Sequence, residues 1–384
     1  MPVRTRVAHL TSHHDILDNR IFHRECRSLA AAGYEVVLVA QHDRDDLRDG
    51  VRILAVPPHR GRLERVTLTA FRVVRRAWRE RPAVFHFHDP ELIPWGFLLR
   101  LLGRTVIYDV HEDFGQAAGV RPWLPRWARP LLVRAVDGVN VAARRSFAIV
   151  IAERYYARTF PDAVAVLNYA NLEDYARVAA IHRAPERLDR IRLLYSGSVT
   201  ESRGALHHLR LLEHLPATAG LRLIGQCNDA ALRAGLETTA RSEPRLELAI
   251  GAAWVPYERI IETYAEAWTA GLALFPDASH YREKELTKFF EYMAAGLPIV
   301  CSSFPAWREI VERDGVGLCV DPEDPAAAAE AIRWIADNPD EARAMGERGR
   351  RLVRERYNWQ SQADALVGLY RRLAAPPRAG AARH

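Results

Sequence analysis

The strongest constraint on this chain is the alternation of short apolar runs with amphipathic segments. Val3–Leu10, Tyr34–Ala40, Val51–Val56, Val84–Phe87 and Thr105–Val110 have the length and β-branched content of strands. Ile21–Ala32, Arg65–Glu80 and Glu91–Leu102 between them carry helical periodicity. Parallel strands need such crossover segments, so the pattern predicts right-handed strand–helix–strand units in a parallel sheet. Phe147–Ile151 and Val164–Leu167 end the series. After an Arg-rich stretch from Arg177 to Arg190 it resumes with Ile191–Tyr195, Leu221–Ile224, Leu246–Ile250, Gly271–Phe275, Pro298–Cys301 and Gly317–Val320. The expected fold class is α/β, with two doubly wound, Rossmann-like parallel-sheet domains. A length of 384 residues and a hydrophobic content of 49% provide for two cores. The expected domains are 1–167 and 168–356, with Asn168–Asn171 as the crossing. A helix follows within 357–375, and 376–384 is expected to be a mobile basic tail.

Composition narrows the function classes. Net charge is +6, mostly from arginine, and favours anionic ligands or surfaces. The aromatic-and-basic motifs of the common RNA modules are missing, so nucleic acid is not an expected partner. Cys26, Cys227, Cys301 and Cys319 have no metal-like spacing, which suggests a reducing compartment. The chain runs from Met1 into a strand and has no uninterrupted apolar stretch of about 20 residues. A cytoplasmic protein, in some settings peripheral at the inner face of the membrane, is the expectation. Arg121 to Arg134 mixes two tryptophans with four arginines. It reads either as a rim helix with solvated arginines or as a contact for an anionic membrane through Trp123 and Arg126.

Open parallel sheets bind ligands at the carboxyl ends of their strands. There the chain places Ser12-His13-His14-Asp15, Asp18-Asn19-Arg20-Ile21-Phe22, His86 and His88, and then His111-Glu112-Asp113. One histidine at such a position is more often structural, but three beside acids point to function. Asp18 and Arg20 read equally as a buried ion pair or as ligand contacts.

Residues 283–303 carry the most specific signal. Thr287 is expected to cap a helix that Gly296 and Pro298 end. Phe290, Met293, Ala294 and Leu297 form its apolar face, with Lys288 and Glu291 pointing away. A cation in a first turn is unfavourable by about 0.3–1 kcal/mol unless an anion binds, so Lys288 predicts a phosphate site. Glu283 and Glu291 frame it.

This Glu-x7-Glu with its tail Tyr-Met-Ala-Ala-Gly-Leu-Pro-Ile-Val resembles the signature of retaining sugar-nucleotide glycosyltransferases of family 4, and the resemblance extends over nearly the whole chain. It implies the GT-B architecture of two domains facing across a cleft, with a final helix crossing back to the first. It also implies that Glu283 contacts the donor sugar, Glu291 holds the ribose, and His111 lies beside sugar and acceptor. The family's diphosphate loop corresponds to Ser196–Gly204, which lacks the dehydrogenase Gly-x-Gly-x-x-Gly. Arg203 fills one of its two cationic places and Ser198 stands in the other, so Lys288 is expected to supply the missing charge. Gly197, Leu286 and Thr287 complete the expected diphosphate set. Trp254 is the weaker candidate for the nucleobase, and Asp18, Arg20, His88 and Glu112 for the acceptor side.

The activity implied is metal-independent, retaining transfer of a sugar, of the hexosyltransferase type, from a nucleotide-diphosphate sugar to a hydroxyl on a small molecule, glycan or lipid-linked acceptor. No cofactor is expected. The rivals are a GT-B-type nucleotide-sugar epimerase and a non-catalytic binding scaffold. A metal-dependent transferase using Asp43-Arg44-Asp45 is a third, but that triplet reads better as a charged turn.

Overall fold

The computed structural model describes residues 4–111, 129–181, 190–277 and 281–374. Glu112, Trp123, Arg126 and the tail 376–384 lie outside the described residues. The chain forms two compact units, Met1–Asn168 with Gln360–His384, and Tyr169–Trp359.

The first unit is built on strands β1 (Arg6–Leu10), β2 (Glu35–Gln41), β3 (Asp46–Arg48), β4 (Val51–Val56), β5 (Val84–Phe87), β6 (Thr105–Val110), β7 (Ala148–Ile151) and β8 (Val164–Ala165). Their order is β3-β4-β2-β1-β5-β6-β7-β8, and only the β3–β4 pair is antiparallel. Strand β3 was not expected. Asp45 leads into it, and its carboxylate pairs with Arg76 and accepts the N–H of Ala55. The Asp43–Asp45 triplet is thus part of a structural turn.

Alternation along the strands gives this sheet two different faces. Ala8, Leu10, Phe85, Phe87, Val106, Tyr108 and Val110 join the apolar core, with Val73, Ala77, Ile93 and Leu99 of helices Ala70–Arg79 and Ile93–Leu101. The intervening positions hold His9 and His86, which are register neighbours, and Asp109; all three are fully buried. Arg20, Glu25 and Tyr370 meet this polar face. Tyr370 lies on the helix Trp359–Ala374.

The expected helix Ile21–Ala32 begins instead as a π-helical segment, Ile21–Cys26, in which Glu25 N–H reaches Arg20 O at 2.9 Å. Asp18 starts it by accepting the N–H groups of Arg20 and Ile21, each at 2.8 Å. Such widened turns recur at functional sites.

The second unit has six parallel strands, β9 (Arg192–Ser196), β10 (Gly220–Gln226), β11 (Leu246–Gly251), β12 (Ala270–Ala273), β13 (Ile299–Ser302) and β14 (Gly317–Val320), ordered β11-β10-β9-β12-β13-β14. The helix Thr287–Ala295 joins β12 to β13 and ends at Gly296, whose φ of +76° suits glycine. It departs from the sequence reading twice. Leu286, not Thr287, stands at the N-cap, with no side chain capping the first turn. The helix also has no solvent side, since every residue from Lys288 to Ala295 is buried. A second helix, Pro339–Glu355, covers one side, where Gly346 and Gly349 bring it against Gly296 and Met293, and Tyr195 and Tyr264 cover Lys288 and Glu291 on the other.

Candidate functional site

In the second unit the candidate site forms where β9 runs into the loop Ser196–Gly204. Gly197 takes φ +113°, a conformation that side chains rarely adopt, and a Cβ there would lie 3.6 Å from Lys288 Nζ. Lys288 reaches under this loop from the uncapped first turn of its helix. Its ammonium sits 3.6 Å from the centre of the Tyr195 ring and 5.1 Å from that of Phe275. It is 7% exposed and has no hydrogen-bond partner among the described residues. Burial, reinforced by Arg203, pushes its pKa well below the usual lysine range, while Glu291 acts in the opposite sense. A buried cation of this kind is costly unless an anion compensates it. The cation–π contact with Tyr195 recovers only about 2 kcal/mol or a little more. Lys288, Gly197 and the open helix end therefore form a site chemically matched to a phosphate group.

Glu291, one turn further on, is buried and accepts from Tyr264 Oη at 2.9 Å. Tyr264 Oη is 2.6 Å from Ser196 Oγ, and Tyr292 Oη accepts from Ser196 N at 3.2 Å. This tyrosine–serine network fixes the carboxylate relative to the end of β9. No sequence pattern marks it, because the contributing residues lie far apart in the chain. Glu283 and Arg203 are half-buried, Leu286 and Thr287 likewise, around the same helix start. Trp254 is 65% exposed.

The first unit gathers ionisable groups at the ends of β1, β5 and β6. Asp109 Oδ2 accepts from Arg20 Nε at 2.9 Å and lies 3.1 Å from His88 Nδ1 and 2.7 Å from His111 Nε2. Arg20 also reaches Asp109 Oδ1 at 2.8 Å and Val166 O at 2.6 Å. The Arg20 guanidinium is thus held in a buried ion pair, formed with Asp109 and Glu25 and not with Asp18. Asp18 is likewise occupied, capping the π-helical segment and meeting His14 Nδ1 at 3.2 Å. His88 is buried behind His111, whose side chain remains 15% exposed.

His14 joins this group although the sequence did not single it out. Its Nε2 is 3.5 Å from Asp89, and its ring lies 5.2 Å from that of His111. Burial disfavours its charge, but the hydrogen bond to Asp18 and the nearby carboxylates prevail and raise its pKa to about 9. It thus presents a cation beside His111 at neutral pH.

His9, Glu25, His86 and His88 bring donor atoms within 4.8 Å of one another, as do His88, Asp109 and His111. Yet the His9 and His88 rings are stacked at an interplanar angle of 19°, and those of His86 and His88 at 27°. Imidazole lone pairs lie in the ring plane, so stacked rings do not aim at a single ion. We read the first cluster as a hydrogen-bonded histidine stack.

With this geometry in hand, comparison with known proteins gives a consistent result. Residues 179–352 match the family described as "Glycosyl transferases group 1", and residues 19–170 match the "Glycosyl transferase 4-like domain". The chain belongs to this glycosyltransferase family and has its GT-B fold. It is 25% identical to a glycogen synthase of Mycobacterium tuberculosis over 91% of this chain and 90% of that one. It is also 25% identical to an MMP alpha-(1->4)-mannosyltransferase of Mycolicibacterium hassiacum, over 75% of this chain and 70% of that protein. Among solved structures, a sucrose-phosphate synthase from Thermosynechococcus elongatus superposes with a TM-score of 0.73 at 20% identity, covering 96% and 99% of the two chains. Anabaena Alr3699/HepE in complex with UDP-glucose gives 0.67 at 10% identity, covering 95% and 99%.

Proposed function

We propose that the protein transfers a hexose from a nucleoside-diphosphate sugar to an acceptor hydroxyl, with retention of configuration and without a metal. The observation that carries this reading is the buried, unpaired ammonium of Lys288 under Gly197 at an open helix end. A leaving diphosphate needs positive charge placed in advance, and Lys288, Arg203 and the helix N–H groups provide it where a metal would otherwise be required. Glu291 is the ribose ligand, Glu283 faces the sugar, and Trp254 offers a face for the base. The first unit takes the acceptor, with His111 as the group nearest the reacting hydroxyl and charged His14 beside it. Glycogen synthase, mannosyltransferase and sucrose-phosphate synthase relatives and a neighbour holding UDP-glucose all support a nucleotide-sugar donor.

Thermal unfolding with UDP, GDP and dTDP, in the presence of EDTA, tests the donor site. One nucleotide is expected to raise the midpoint by mass action, and release of that nucleotide from its sugar conjugate should survive the chelator. No shift with any of the three would overturn the donor site. Activity lost in EDTA and restored by Mn²⁺ or Mg²⁺ would overturn metal independence.

We further propose a lipid-linked acceptor reached from an anionic membrane surface. Among the described residues no helix is long and apolar enough to cross a membrane. The face suited to lying on one is formed by helices Ala70–Arg79 and Ile93–Leu101, joined through Phe71 on Trp95 and Arg104 on Trp78. Phe71, Trp78, Leu98, Leu101 and Leu102 are exposed there, and of the seven arginines in 65–79 and 92–105 Arg65, Arg72 and Arg76 pair with Glu91, Glu64 and Asp45, which leaves Arg75, Arg79, Arg100 and Arg104 to supply the positive charge. Sedimentation with phosphatidylglycerol vesicles should fall as salt rises. Leu101→Glu should reduce it by about tenfold or more, because one large side chain withdrawn from water is worth about 1.5–3 kcal/mol. Equal sedimentation with neutral phosphatidylcholine vesicles, or none at low salt, would leave a soluble acceptor.

A further inference from the structure

Glu283 stands in a four-residue turn, Tyr281–Lys284, closed by the Lys284 N–H on Tyr281 O at 3.2 Å. Both ends of that turn are fastened to one aromatic cluster. At the far end the Lys284 carbonyl accepts from Trp307 Nε1 at 2.7 Å. At the near end the buried Tyr281 ring packs edge-on against Phe275 at 4.9 Å, and Phe275 meets the Trp307 ring at 5.3 Å.

Trp307 comes from the helix Pro305–Val311, between β13 and β14, and is fully buried. Its ring also meets Phe289 at 5.2 Å and Phe304 at 4.6 Å. An indole carries a single polar group, a donor, which needs an acceptor when it is buried. Packing alone calls for a large apolar ring at this place, whereas the N–H selects one carbonyl. Lys284–Leu286 belong to no helix or strand, so the direction in which the turn presents Glu283 is set by ties of this kind. Lys288 and Glu291, by contrast, ride on a helix that is packed on both sides and does not need the indole N–H.

We propose that Trp307 is a positioning residue for Glu283: its N–H fixes the Lys284 carbonyl, and with it the Tyr281–Lys284 turn, so that the Glu283 carboxylate is held at the donor sugar. This rests on the reading of Glu283 as the group that faces the sugar, whereas the anchoring of the turn does not.

Placing 3-benzothienylalanine at position 307, which keeps the outline of the ring and puts sulfur where the N–H was, tests this, with Trp307→Phe as a second variant. The Lys284 amide should exchange with solvent about threefold to tenfold faster, the ratio that one hydrogen bond is worth, while the helix Thr287–Ala295 keeps its rates. Nucleotide release from UDP-glucose, GDP-mannose or dTDP-glucose, whichever the unaltered protein consumes, should fall about tenfold, since small misplacements of a reacting group cost up to about 10²-fold. The midpoint shift with the matching nucleoside diphosphate should stay unchanged. In a Glu283→Gln background the same replacement should bring no further loss, because a residue that acts only through Glu283 has nothing left to position. Additive losses would overturn the proposal and leave Trp307 as core packing, as would an unchanged Lys284 exchange rate or unchanged nucleotide release. Full release in Glu283→Gln alone would overturn the reading of Glu283 and the proposal with it, and faster Lys284 exchange would then show that the turn was anchored all the same.

Discussion

Lys288→Met is expected to give a protein that is more stable without ligand, no longer stabilised by nucleoside diphosphate, and slower in turnover by about 10²–10³-fold. The last figure is the usual loss for one preorganised donor to a developing anion. The opposite signs of the stability and activity effects are the diagnostic feature. In the free protein the ammonium is buried without a hydrogen-bond partner among the described residues. An apolar side chain of similar shape removes that penalty, which in comparable exchanges has gained about 1–4 kcal/mol. Ser198→Arg in the same background should recover part of the turnover, and a double-mutant cycle isolates the compensation.

Proton linkage offers an independent check. The depressed Lys288 pKa means that the free folded protein disfavours the proton below the ordinary lysine value of about 10.4. A bound diphosphate raises that pKa, so binding takes up protons and weakens as pH rises toward the ordinary value. Calorimetry in buffers of different ionisation enthalpy measures the uptake. A Met variant that is less stable and still shifts with nucleotide would remove Lys288 from the site.

Arg20→Met should destabilise the first unit by about 3–5 kcal/mol, the usual cost of leaving a buried charge unpaired. Its guanidinium holds both oxygens of fully buried Asp109 and contacts Glu25 at 3.2 Å. Asp109, with its lowered pKa, contributes stability that is present above the ordinary aspartate range and lost on acidification. In the variant that contribution disappears, so the stability difference between the two proteins should shrink toward acid pH. Urea unfolding at several pH values measures both effects. A loss below about 1 kcal/mol would mean that Asp109 takes its charge balance from the histidines instead.

Most strands were legible from the sequence because an apolar run in a doubly covered sheet has few alternatives. The exceptions have local causes. Strand β3 consists of Asp46–Arg48 on an antiparallel edge, where the one apolar residue, Leu47, is exposed and no burial pattern marks the strand. The π-helical turn at Ile21–Cys26 has the periodicity of an ordinary helix in sequence. For the candidate site, Glu283, Lys288 and Glu291 stand out in the sequence because they lie on one short segment with a known spacing. Their helix is buried on both sides: Met293, on the face expected to be the core, packs on the helix Pro339–Glu355, and Lys288 and Glu291 turn toward Tyr195 and Tyr264, contacts that a helical wheel does not show. His9 carried an unused signal, and His86, read with His88 and His111 as functional, is instead fully buried. Each interrupts an apolar run at a position that alternation places inside, and a polar residue there needs partners. Glu25 and Tyr370 could not be paired with them, being brought in by elements distant along the chain.

Tyr370 also sets the order in which this molecule can be finished during synthesis. The polar layer of the first unit needs the hydroxyl of a residue beyond Trp359, and the whole of Tyr169–Trp359 is translated in between. At about 5–20 residues per second, the ribosome needs about 10–40 s for that interval. Throughout it, His9, His86 and Glu25 have emerged without the helix that covers them. The amino-terminal unit is therefore the first to be made and the last to close, and a nascent chain stalled before residue 360 should remain a better substrate for chaperones and proteases than its length alone would suggest.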